Sequence, residues 1–67
     1  MFENNIKTYR DAKGLNQREL AEKAHIAQSA LSDFERGKRL PWDSATKAIA
    51  RALGVPREQI FPGINTN

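Results

Sequence analysis

The sequence predicts an all-α protein: a compact five-helix bundle with two short helices joined by a tight turn near its middle. Three observations carry this. Apolar residues recur at helical spacing, most clearly Ala45, Ala48, Ile49, Ala52 and Leu53 at i, i+3, i+4, i+7 and i+8. No stretch alternates apolar and polar with period two, so no sheet is expected. Helix-stopping residues (Gly14, Gly37, Pro41, Gly54 and Pro62) cut the chain into short segments.

The helices are expected over about residues 4–13, 17–24, 28–36, 43–53 and 56–61, with a loose tail at 62–67. The first carries Phe2, Ile6 and Tyr9 as apolar contacts and stops at Gly14. Asn16 is a good N-cap for the second, and Glu19 three positions on completes a capping-box pattern. Leu20, Ala21 and Ala24 form its apolar stripe, and the two alanines let another helix cross closely. His25, Ile26 and Ala27 suffice only for a turn. The third helix ends at Gly37, read as its C′ residue. Pro41 keeps the Lys38–Trp42 connection out of a helix. Gly54 caps the fourth helix. Pro56 can begin the last one, with Glu58 in its favourable first turn and Ile60 and Phe61 as anchors.

With 67 residues the chain reads as a single domain, residues 1–67, with a small core. Ile6, Leu15, Leu20, Leu31, Phe34, Ile49, Leu53 and Ile60 with several alanines supply it. Truncating Leu31 or Phe34 to Ala is expected to cost about 2–5 kcal/mol and to mimic a binding defect by unfolding the molecule. There is no cysteine, hence no disulfide framework and no thiolate metal site. No apolar run approaches a membrane span, and MFENNIKTYR lacks a signal-peptide core, so a cytoplasmic protein is expected. The net charge of +3 suits an anionic partner.

The third helix holds the functional signal. At about 100° per residue, Gln28, Ser29, Ser32, Asp33 and Arg36 share one arc, and Ala30, Leu31 and Phe34 share the other. A surface helix ordinarily presents Lys and Glu. This one presents mostly short donors and acceptors. Gln pairs with adenine through both amide groups, Ser serves either base type, and Asp accepts from the cytosine amino group. A helix with one core face and one such face fits the major groove of DNA. Arg36, Lys38 and Arg39 follow it with no acid between them and suit phosphates.

These residues resemble the helix-turn-helix of the phage repressor and Cro-type family, also called lambda-repressor-like or Xre-like. The stretches LNQRELAEKA, AQSALSDFERGK and AIARALGV carry the resemblance. Gln17, Glu19-Leu20-Ala21, Gln28, Glu35-Arg36-Gly37 and Leu53-Gly54-Val55 all fall at the family's spacing. With the first helix and PREQIF, it covers nearly the whole chain.

The resemblance implies a sequence-specific, double-stranded DNA-binding transcription regulator, a repressor, reading a two-fold operator as a homodimer. Gln28 and Ser29 would open the recognition helix on base edges, with Ser32 and Asp33 one turn later. Asp33 departs from the family's usual neutral or basic residue. It either reads a cytosine, orients Arg36, or repels wrong sites. Asn16 and Gln17, at a helix N-terminus, would meet phosphate, as would Arg36, Lys38 and Arg39. Arg10 and Glu35 match a structural ion pair that holds Arg10 near the DNA-facing rim, where it too would meet phosphate. Trp42, Pro56, Arg57 and Ile60 would contribute to the dimer contact. His25 stands where the family usually has a left-handed glycine, and a lone His makes a poor metal site.

A helix-turn-helix module that docks a partner protein, such as an antitoxin or antirepressor component, is the alternative from another class. An enzyme is disfavoured by one His, no Cys, no phosphate loop and little room for a pocket. No cofactor, metal or small-molecule ligand is expected.

Overall fold

The computed structural model describes residues 4–62 and, among these, contains five helices and no strand. They are α1 (Ile6–Ala12), α2 (Gln17–Ala24), α3 (Gln28–Glu35), α4 (Asp43–Leu53) and α5 (Arg57–Ile60). Phe2 and the tail from Gly63 onward lie outside the described residues. No described helix is long and apolar enough to cross a membrane.

Three helices, α1, α3 and α5, differ from expectation in their bounds. The first helix begins at Ile6, because the Asn4 side chain accepts the Ile6 backbone N–H at 3.0 Å and holds the chain in a pre-helical turn. It ends at Ala12, with Lys13 as its C-cap. The third ends at Glu35, and Arg36 is the C-cap. Pro56 is the N-cap of α5 rather than its first helical residue, with ψ of 144°.

The capping box of α2 is complete. Asn16 Oδ1 accepts the Glu19 N–H and Glu19 Oε1 accepts the Asn16 N–H, both at 2.8 Å. At the other end His25 adopts φ 58°, ψ 44°, the left-handed conformation. It is the only described non-glycine residue with positive φ. Histidine tolerates that region better than most side chains. Its payoff is a C-terminal motif in which Ile26 N–H reaches back to the Ala21 carbonyl at 3.0 Å. The chain reverses there within a few residues, and α3 starts at Gln28.

Helix α2 packs against both α3 and α4, and α5 packs on α4. Ile6, Leu20, Leu31, Phe34, Ile49, Leu53, Ile60 and Phe61 are fully enclosed. Leu15 is only partly buried at the core's edge. Thr46 and Ala50, outside the expected α4 stripe, are buried as well, while Ala48 and Ala52 lie at its margin. Thr46 is admitted because its hydroxyl donates to the Asp43 carbonyl at 2.7 Å. Asn4 donates its side-chain amide to the Phe34 carbonyl at 2.7 Å, tying the chain's start to the end of α3.

Candidate DNA-binding interface

The core sets the direction in which α3 presents its other face. Ala30, Leu31 and Phe34 are buried, so Gln28 and Ser29 stand exposed in the first turn. Ser32 and Asp33 are half-buried one turn later. All four sequence-predicted base readers therefore lie on one side of one helix.

Arg10 and Glu35 form a two-pronged ion pair. Arg10 Nε donates to Glu35 Oε2 at 2.7 Å and Nη2 donates to Oε1 at 3.1 Å. Arg10 Nη1 also donates to the Leu15 carbonyl at 2.9 Å. Both side chains are nearly enclosed, 10% and 4% exposed. The hydrogen bond to Glu35 raises the guanidinium pKa above its ordinary value, against the opposing pull of burial. With a donor on each of its three nitrogens held inside the fold, Arg10 has little left to offer the phosphate expected of it.

Gln17 joins the same carboxylate, donating Nε2 to Glu35 Oε1 at 3.1 Å. Its side chain is thus occupied with aligning the start of α2 and the end of α3. Asn16 spends its side-chain oxygen on the cap. What the start of α2 offers a phosphate is chiefly its backbone N–H groups, which point out of the helix end.

The basic cluster is less bare than its sequence suggests. Gly37 takes φ 74°, a value that suits glycine because it has no Cβ. With it, Gly37 N–H bonds to the Phe34 carbonyl at 3.1 Å and Lys38 N–H to the Asp33 carbonyl at 2.9 Å. The reversal lays residues 38 and 39 back along the last turn of α3. Asp33 then faces Arg36 through Oδ1 and Arg39 through Oδ2, each at 3.7 Å. Lys38 is exposed beside them.

The expected dimer residues do not behave as a set. Ile60 is fully buried, as its place in the expected core requires, and leaves no surface for the dimer contact also expected of it. Pro56 is exposed. Arg57 is half-buried and bonds Asp43 Oδ1 at 2.8 Å. Lys47 and then Arg57 hold the Asp43 carboxyl below its ordinary pKa. Trp42 packs edge-on against Phe34, ring centroids 5.4 Å apart, yet remains 47% exposed. Leu40, two residues earlier in the chain and not singled out by the sequence reading, is 59% exposed. Among the described residues no cluster of His, Cys, Asp and Glu could hold a metal ion.

A donor-rich helix seated across a second helix after a tight turn, with arginines and a lysine at its end, has the geometry of a helix-turn-helix unit. A helix-turn-helix family profile matches residues 6–60, and the chain belongs to that lambda-repressor-like, Xre-like DNA-binding family. An immunity repressor of Bacillus phage phi105 is 44% identical over 50 residues, covering 75% of this chain and 35% of that protein. The transcriptional activator BcrR of Enterococcus faecalis is 29% identical over 62 residues, covering 92% of this chain and 30% of that one. The chain thus spans about a third of the length of these two relatives. The restriction-modification controller protein C.AhdI of Aeromonas hydrophila superposes with a TM-score of 0.81 at 30% identity, covering 85% of this chain and 86% of that one. These relatives are named as regulators, not enzymes.

Proposed function

We propose that this chain is a transcription regulator of the cytoplasm that reads the major groove of a two-fold operator as a homodimer and represses from it. The observation that carries the reading is the split of α3. Its buried face locks the helix to the core, and its exposed face offers Gln28, Ser29 and Ser32 to base edges. Arg36, Lys38, Arg39 and the first backbone N–H groups of α2, at Gln17, bracket that face and take the phosphates. Asp33 lies on the same face, with its carboxylate already engaged.

A single recognition helix reads only a few base pairs, so a dimer on half-sites about one turn apart supplies the rest. Trp42, Pro56 and Arg57, together with the exposed Leu40 two residues before Trp42, form the surface for the second copy. Repression follows the sign of the phi105 relative, and activation is the sign carried by BcrR's name.

The test is selection of duplexes from a randomised pool, with the bound fraction challenged by rising salt. A two-fold symmetric motif that survives salt is the expected result and gives the half-site spacing. Binding that vanishes with salt and leaves no motif sinks the operator reading. It redirects attention to a protein partner at the Leu40–Trp42 surface.

A further inference from the structure

We propose that Asp33 is an internal counter-charge that withholds Arg36 and Arg39 from phosphate and so lowers the sequence-independent part of DNA affinity. This rests on the DNA-binding reading above and names a regulator of that same surface.

The geometry is specific to this position. The two oxygens of one carboxylate face two different guanidinium groups, Oδ1 to Arg36 Nη2 and Oδ2 to Arg39 Nη2, each at 3.7 Å. The first contact spans one helical turn. The second exists only because the left-handed Gly37 turns the chain back, pinned by Lys38 N–H on the Asp33 carbonyl at 2.9 Å. The fold thereby brings an acid against a basic run that contains none.

Distance and exposure make this a reversible arrangement. At 3.7 Å neither contact is a hydrogen bond. The arginine side chains are 60% and 54% exposed, against 31% for Asp33. Water therefore screens both pairs, and each restrains its arginine by no more than about fivefold. A phosphate oxygen competes for the same guanidinium faces. When it wins, DNA releases counterions, but the freed Asp33 carboxylate attracts a cation back. The net ion release falls short of what the arginines alone would give. A carboxylate engaged in this way is also poorly placed to accept from a cytosine, because its oxygens already face cations.

The experiment is Asp33→Asn, measured against the parent on a random-sequence duplex and on the selected duplex across a salt series. Affinity for the random duplex is expected to rise about three- to tenfold at low salt. The slope of log K against log salt steepens by about one. The selected motif stays the same at every base pair. In a background carrying Arg36→Gln and Arg39→Gln, the same substitution produces neither change, because there is nothing left to release. Unchanged random-duplex affinity and slope overturn the proposal. So does a loss confined to one base pair, which makes Asp33 a base reader, and so does a full effect in the arginine-free background. A lowered melting temperature with unaltered binding overturns it in favour of a structural role. A parent protein that binds no duplex at low salt fails the underlying reading as well, and that outcome is visible before any variant is made.

Discussion

Two carboxylates on one short helix, Asp33 and Glu35, each face arginine, and their surroundings give them opposite work. Glu35 lies against the core with a 4% exposed side chain and meets Arg10 through two hydrogen bonds and Gln17 through a third. Asp33 meets Arg36 and Arg39 at 3.7 Å in partial contact with water. An enclosed ion pair is costly to form and far more costly to break on one side, because the remaining charge is stranded. A wet pair contributes little to stability and is free to exchange partners. One pair therefore ties α1 and α2 to the end of α3, and the other leaves Arg36 and Arg39 able to exchange partners, as the proposal for Asp33 requires.

The largest effect expected from breaking this contrast is that of Glu35→Ala. It strands Arg10 inside the fold and costs about 3–5 kcal/mol, enough to unfold much of a domain this small. Combining Glu35→Leu with Arg10→Met removes both charges, and chemical denaturation should find the double variant more stable than Glu35→Ala. Equal losses would dissolve the distinction between the two carboxylates. A smaller effect is expected for Gln17→Ala, which deletes one bond to a carboxylate that keeps Arg10. About 1 kcal/mol is lost, a fall of roughly 4–8 °C in melting temperature. No shift at all would mean that the Gln17–Glu35 bond contributes nothing to joining the two motif helices. The smallest effect concerns Asp43, a wet carboxylate of the Asp33 kind, whose partners Lys47 and Arg57 depress its pKa. A depressed carboxyl contributes stability that is present above the ordinary aspartate pKa and lost as pH falls through its folded value. Acid titration of the melting temperature should therefore flatten slightly in Asp43→Asn below the usual carboxylate range. A steep change there would place Asp43 with Glu35 rather than with Asp33.

What was legible in the sequence was local. The Asn16–Glu19 capping box, the short turn at His25–Ala27, the stop at Gly37 and the whole of α4 depend on residues within one or two turns and appear where spacing put them, whereas the left-handed conformation of His25 was implied by the family resemblance. The Arg10–Glu35 pairing, 25 residues apart, came from family resemblance rather than from the pattern itself. What spacing does not encode is which long-range partner a polar side chain finds. Gln17 bonds Glu35 across 18 residues, and Asn4 bonds the Phe34 carbonyl across 30. The Asp33–Arg36 contact was open to reading at i, i+3, whereas Asp33–Arg39 required knowing that Gly37 doubles the chain back. Ile60 illustrates the remaining gap. The sequence reading assigns it both to the core and to a dimer contact, because a four-residue helix has too little periodicity to choose; the packing of α5 on α4 leaves it in the core.

Trp42 is the only tryptophan in the chain, and its ring leans on Phe34 of α3 while nearly half its surface stays open. The protein therefore carries its own optical label at a useful place. Excited at the indole band, it reports core melting through loss of the Phe34 contact. The proposed burial of its outer edge by a second copy would show as a blue shift and reduced quenching by iodide. One native chromophore, followed against protein concentration and then against denaturant, separates assembly from folding without an added dye.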